Sequence, residues 1–364
     1  MSGSKAETIA LGGRPPFDRW TIIILTCRTP QTDFRLALAE ELRRLGNKVL
    51  YVFLKRRPAV SVLDADMLDR PSEVSFYSFV AKMRNLSKLT DKLLVFNSTN
   101  LAFPITSVLL KQVTGGLWCF DIHDDLLYEQ MGWKRLKAAI AQKLLIWQSH
   151  ISVHSAPTLA ELFPLSRHLG NASHIIPLSR RGEFQADPVL ILASLDGRFD
   201  FELARDIARL NRDISFHLHG QISQGSSDAE YGLKELLKAS PNVVYFGPYS
   251  NDVLPGLLDT YCLTLAPYRT NCRLTRYIDP LRFYHCLNSG LELITTDIPA
   301  AQNLTDKLHV ISKAQDFRPL VAQLSTQRDK RRNFDSHCID LTWRRKAEAL
   351  MQIVGDHAAV NAHK

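Results

Sequence analysis

Three short segments hold side chains able to bind an anion or move a proton. LTRYIDPLRFYHCLNSG (274–290) carries Arg276 and Arg282 six positions apart, with Thr275, Tyr284 and His285 beside them. Guanidinium groups suit an anion such as a phosphate, because each presents a planar fork of donors matched to its oxygens. Arg198, in LDGRFD, is a third candidate for the same anion. FDIHDDL (120–126) supplies Asp121, His123, Asp124 and Asp125, and a carboxylate or imidazole there suits a general base acting on a hydroxyl. CRTP (27–30) places Arg28 and Thr29 where a phosphate or an acceptor could be touched. Each segment also has a plainer reading: solvated surface arginines, an Arg28–Asp33 pair, or an aspartate capping a helix before LLYEQ. His123 and its neighbouring aspartates offer no third ligand, so no metal is expected.

The elements that would position these residues alternate along the chain. WTIIIL (20–25) is an apolar run suited to a buried parallel strand, and the CRTP loop follows it. RLALAEELRRLG reads as a helix ending at Gly46 and VLYVFL as the next strand, which completes a βαβ unit. KLLVF (92–96), a helix over 102–113, GLWCFDI (116–122), a helix over 132–148, HISVHS (150–155), a short helix at TLAELF and a strand at HIIPL (174–178) continue the theme. SRRGEFQADP (179–188) lacks periodicity and reads as a linker.

A second alternation begins with VLILASL (189–195) and FELARDIARL (201–210). Strands follow at ISFHLHG, NVVYFG, CLTLAPY and LELITT, with helices between them, and a helix at WRRKAEALMQIV (343–354). The fold class expected is α/β, with two Rossmann-like doubly wound domains facing a cleft. Residues 1–19 form a flexible N-terminus, 20–180 the first domain and 181–342 the second. Residues 343–364 form a helix and tail, the helix crossing back to the first domain.

Composition narrows the classes of function. With 45% hydrophobic and 23% charged residues, the 364-residue chain is an ordinary globular protein large enough for two cores. Its formal charge of +8 favours anionic partners without choosing among them. Six scattered cysteines, none in a C-x-x-C pair, fit a reducing compartment better than a disulfide framework. The polar N-terminal segment has no apolar signal-peptide core, so a cytoplasmic location is expected. Motifs for dinucleotide binding, P-loop NTP hydrolysis, zinc proteolysis and serine esterases are all missing from the sequence.

LASLDGRFDFELARDIARL, NVVYFG, LAPYRTN and LTRYIDPLRFYHCLNSGLELITTDIP, in that order, resemble the C-terminal domain of GT-B glycosyltransferases of bacterial polysaccharide assembly. CRTPQTDF, LLVFNSTNLAFPITSVLL and GLWCFDIHDDLL are similar to the N-terminal domain of one branch, the xanthan-type inverting glucuronosyltransferases, related to the group 1 transferases. The resemblance implies a nucleotide-sugar donor, UDP-linked, held by the second domain, and a saccharide or lipid-linked saccharide acceptor at the first. It implies that Arg282 stands where the family has a phosphate-binding lysine, with Arg276 and Arg198 as companions. His285 then replaces a glutamate that bonds the ribose in many relatives, where the xanthan-type branch has an amide. The resemblance places the catalytic base at Asp124, with Asp125 and His123 as alternatives, and implies no cofactor. The function expected is glycosyl transfer in exopolysaccharide biosynthesis. A GT-B-like scaffold without catalysis is the alternative, and a sugar-nucleotide epimerase a remoter one.

Basic residues also gather in the first half. In WKRLKAAIAQKLLIW, Trp133, Leu136, Ile140, Leu144 and Trp147 recur at helical spacing beside Lys134, Arg135, Lys137 and Lys143. A helix packed on the core, its basic face in solvent, is the plainer reading. The sharper one is peripheral contact with an anionic membrane on its inner face. No nucleic-acid-binding module is recognisable.

Overall fold

The computed structural model describes residues 19–362 except 28–34, 55–58, 65–71, 89, 91, 100, 129, 174–185, 224, 303 and 327–340. β1 (Thr21–Thr26) is buried along its whole length. Ile22 and Ile24 face one core and Ile23 and Leu25 another, as a parallel strand covered on both sides requires. Burying each such side chain contributes about 1.5–3 kcal/mol. The remaining strands of this half are β2 (Lys48–Leu54), β3 (Ala59–Asp64), β4 (Ser72–Ser75), β5 (Leu93–Ser98), β6 (Leu117–Ile122), β7 (Ile151–His154) and β8 (Arg167–His168). They form one sheet in the order β4-β3-β2-β1-β5-β6-β7-β8, parallel except for the β2–β3 and β3–β4 pairs. Its helices are α1 (Arg35–Arg44), α2 (Phe76–Lys88), α3 (Pro104–Thr114) and α4 (Gly132–Gln148).

The second sheet contains β9 (Val189–Leu195), β10 (Phe216–Ile222), β11 (Val243–Gly247), β12 (Leu263–Ala266), β13 (Glu292–Thr296) and β14 (Leu308–Ile311). All its pairs are parallel, in the order β11-β10-β9-β12-β13-β14. α5 (Phe201–Leu210), α6 (Ser227–Ala239), α7 (Leu254–Asp259), α8 (Arg273–Arg276), α9 (Leu281–Asn288) and α10 (Phe317–Thr326) accompany it. Gly220 on β10 is a position of close approach: a Cβ there would lie 1.8 Å from the Ala193 carbonyl oxygen on β9. Only glycine lets these two strands pair at that point.

α11 (Trp343–Ala362) returns to the first half, as the sequence leads one to expect. Trp343, Ala347, Leu350, Met351 and Val354 share one core with Ile22, Ile24, Leu38 and Leu42. Ser173 and Thr342 form a parallel bridge, and the Ser173 N–H donates to the Leu341 carbonyl at 2.8 Å.

The structure adds β3, β4, α2, β8, β14 and α10 to the elements expected. SEVS and RH are too short and polar to carry a strand period. The strand expected at HIIPL and most of the expected linker lie outside the described residues, as do Arg28, Thr29 and Asp33. α4 calls for a correction. Of the residues expected to face the core, Trp133, Leu136, Ile140 and Trp147 are exposed, and the helix buries Ala141, Leu145 and Gln148 instead. Helical spacing identifies a face without saying what covers it.

Candidate functional site

In both sheets the candidate residues sit on loops at the C-terminal ends of parallel strands. In the second half, β9 leads into Asp196, Gly197 and Arg198. Asp200 caps α5 by accepting from the Leu203 N–H at 2.9 Å, which fixes the end of this loop. The loop is also tied to the segment after β12, because the Arg269 N–H donates to the Arg198 carbonyl and the Asp200 N–H to that of Pro267.

Arg198 and Arg282 gather around Tyr268. The Arg198 Nε lies 3.1 Å from both carboxylate oxygens of Asp196. Burial opposes the charge on Arg198, but Asp196, with Tyr268 and Asp124 also contributing, more than offsets it and raises its pKa. Arg282, in the first turn of α9, donates to the Leu192 carbonyl at 3.1 Å and to Ser194 Oγ at 3.0 Å. Its guanidinium lies 5.8 Å from the centre of the Tyr268 ring. Burial raises the Tyr268 pKa even with two guanidiniums nearby, so this hydroxyl stays a donor.

On the facing side, β6 ends in Asp121 and Ile122, and His123 follows it. Asp121 is fully buried and held by Arg35 from α1, with Nε–Oδ2 2.7 Å and Nη2–Oδ1 2.9 Å. Burial alone would favour the neutral acid. Arg35 and His123 outweigh it and keep this carboxyl below the usual carboxylate range. The His123 Nε2 is 2.9 Å from Ser98 Oγ and 3.1 Å from Asp121 Oδ2, and Nδ1 is 3.2 Å from Arg35 Nη2. Both ring nitrogens are thus engaged inside the fold, which sets His123 into the support of the loop.

The two aspartates that follow differ. Asp125 accepts from Arg273 of the second half, at 2.9 Å to Nε and 2.8 Å to Nη2. The half-buried carboxylate of Asp124 accepts no hydrogen bond from a described residue, and it lies within electrostatic range of Arg198. Neither aspartate caps a helix: 126–128 is a turn, and α4 starts only at Gly132 with Met131 as an uncapped N-cap residue.

The other expected donor-site residues line the seam between the halves. Arg276 makes an ion pair with Glu161 at 2.9 Å, and its carbonyl accepts from Thr158 Oγ1 at 2.6 Å. Thr275 is buried and donates to the Arg269 and Cys272 carbonyls. Tyr284 donates to Asp279 Oδ1 at 2.7 Å, and the His285 Nδ1 lies 3.0 Å from Ser173 Oγ. Of six residues expected around the donor nucleotide and its diphosphate, the structure sets Arg198 and Arg282 on either side of Tyr268 and puts the other four at or beside this seam. Asp196, Tyr268 and Ser194 complete the cluster. Tyr268 stood in the LAPYRTN segment, where no spacing signalled its place between two arginines. Among the described residues no group of His, Cys, Asp and Glu could hold a metal.

No family model and no curated protein matches the sequence. Solved structures do. A glycosyltransferase from Rickettsia africae superposes with TM-score 0.61 at 12% identity, over 94% of this chain and 99% of that one. A sucrose-phosphate synthase from Thermosynechococcus elongatus gives 0.59 at 12% identity, over 93% and 100%. A UDP-forming α,α-trehalose-phosphate synthase from Burkholderia vietnamiensis gives 0.58 at 11%, over 93% and 100%. At such identity the likeness is one of fold. The chain has the GT-B fold, two Rossmann-like α/β domains facing a cleft, with the C-terminal helix crossing back to the first.

Proposed function

We propose that the protein is a glycosyltransferase that moves a sugar from a UDP-linked donor to a hydroxyl of a saccharide or lipid-linked saccharide. One observation carries this reading: Asp124, with no side-chain hydrogen bond to a described residue, lies within electrostatic range of Arg198, which with Arg282 flanks Tyr268. Fold neighbours add support, since one is described as UDP-forming and another as an α-glucosyltransferase in complex with UDP.

In this reading the second domain holds the nucleotide, and the two guanidiniums face the donor's diphosphate. The acceptor hydroxyl attacks the anomeric carbon and loses its proton to Asp124. A carbon–oxygen bond to the acceptor forms while the bond to the diphosphate breaks, with inversion. The departing diphosphate gains charge as it leaves, and preorganised donors stabilise that charge more than the ground state. His123, Asp121 and Arg35 keep the base loop in place without touching substrate. Inversion, the xanthan-type branch and a role in exopolysaccharide assembly rest on the sequence resemblance.

The test is release of UDP from a panel of UDP-sugars, by the wild-type chain and by Asp124→Asn. The proposal expects donor-dependent turnover that the substitution abolishes while donor binding persists. A chain that binds no nucleotide in a thermal-shift screen is no glycosyltransferase. One that binds donor without turnover on any acceptor is the scaffold alternative.

A further inference from the structure

α2, α3 and α4 lie side by side over one face of the first sheet. Each buries an inward stripe, at Phe79 and Met83, at Leu110, and at Leu145. Their outward side nevertheless carries large apolar side chains. Met131 is 83% exposed, Trp147 74%, Ile105 70% and Trp133 66%, with Leu109, Leu136 and Ile140 also in the open. Cations stand among them, including Lys82, Lys88, Lys134, Arg135, Lys137 and Lys143, and none of the three helices contains an aspartate or glutamate. Their lysines and arginines number eight, equal to the formal net charge of the whole chain. A shallow cavity of about 790 Å³ between α2 and α3 is lined by Arg84 and Lys88 together with Tyr77 and Val80.

We propose that this face seats on the surface of an anionic lipid bilayer. Exposed aromatic and aliphatic residues interleaved with cations match the headgroup boundary, where apolar side chains enter the acyl edge and ammonium and guanidinium groups meet lipid phosphates. The other occupants fit the same residues less well. A second copy docked isologously would bring this cationic face against an identical one. A nucleic-acid duplex would engage the cations and leave Ile105, Leu109, Leu136 and Ile140 in water. Among the described residues no helix is long and apolar enough to cross a membrane, so the contact is one of lying on the surface. The proposal is independent of the glycosyltransferase reading, because the surface lies on the outer side of α2–α4 and its test uses no donor.

The full chain is tested by co-sedimentation with vesicles of phosphatidylcholine alone and with vesicles holding about one third phosphatidylglycerol. Binding is expected on the anionic vesicles, weaker by about tenfold or more on the neutral ones, and reversed by salt. Tryptophan emission should be quenched by lipids brominated on the acyl chain. Trp133→Ser/Trp147→Ser and Lys134→Glu/Lys137→Glu, all at exposed positions, should each weaken binding about tenfold with unchanged thermal stability. No binding, equal binding to both vesicles, or undiminished binding by both variants overturns the proposal. A dimer abolished by Trp133→Ser/Trp147→Ser, or tighter binding to a duplex oligonucleotide than to anionic vesicles, assigns the face elsewhere.

Discussion

Arg273 of the second domain reaches across to Asp125 of the first, its Nε donating to Oδ2 at 2.9 Å and its Nη2 forming an ion pair with the same oxygen at 2.8 Å. Two adjacent aspartates are thereby given different situations. Asp125 is paired, and the Asp124 carboxylate, within electrostatic range of Arg198, accepts no hydrogen bond from a described residue.

Asp124→Asn should lower kcat by about 10²–10⁴, the range for removing a general base, with little change in donor affinity. Asp125→Asn should cost within about tenfold, because its partner Arg273 is solvent-exposed and such pairs are weakened by water and salt. Steady-state kinetics of UDP release on both variants decides the order. A reversed order would move the base to Asp125.

Arg282→Ala and Arg198→Ala should each weaken UDP binding about 10- to 100-fold, the loss expected for one charge-assisted contact. Arg282→Lys should recover only part of this, since an ammonium cannot span the Leu192 carbonyl and Ser194 Oγ as the fork does. Calorimetric titration with UDP reads the affinities directly. Arg276→Ala, at the seam with Glu161, should leave UDP affinity within about twofold.

Breaking the buried Arg35–Asp121 pair should be costly. Asp121→Asn or Arg35→Met is expected to destabilise the fold by about 3–5 kcal/mol, because either leaves an uncompensated polar group inside. Arg35→Met/Asp121→Leu should recover much of that loss, as measured by chemical denaturation. The pH dependence has a definite sign. Asp121 is held below its ordinary range, so its contribution is full above the unfolded pKa and lost as pH falls through the acid range.

Asp279 behaves in the opposite way. Burial pushes its carboxyl up to about 6, against the Asn171 N–H, the Tyr284 hydroxyl, Lys346 and Arg35, which all favour the anion. The folded state then holds this proton more tightly than the unfolded chain does. Its contribution is greatest below about pH 4 and declines as pH rises to about 6, by on the order of 2–3 kcal/mol. Melting temperatures of wild type and Asp279→Asn between pH 4.5 and 7 should converge at low pH and differ in slope above it. Parallel curves would show that this carboxyl titrates normally.

Much of the architecture could be read from residue patterns, and the reasons are specific. β1 and β9 are uninterrupted apolar runs because parallel strands are covered on both faces, and such runs stand out in any sequence. Asp124 and Arg198 could be named because loops after parallel strands are where such folds concentrate function. The partners could not be. Arg35 meets Asp121 across 86 residues and Arg276 meets Glu161 across 115, and nothing local in the sequence marks either pairing. The motif position of His285 suggested a ribose contact, and no local signal showed that its Nδ1 lies beside Ser173, 112 residues away. For α4 the period was right and the covering wrong, because the same spacing describes a face turned to the core and one turned outward.

The return of α11 bears on how the molecule is made. The core holding Ile22 and Leu38 is completed by Trp343, Leu350 and Val354, which emerge from the ribosome only after the whole second sheet. Domains commonly fold in order of synthesis. Here the earlier domain must wait, with an apolar surface over α1 and β1 uncovered until translation reaches the C-terminal helix. A chaperone acting on the nascent chain would find its binding surface there, and the second domain would be the first to finish.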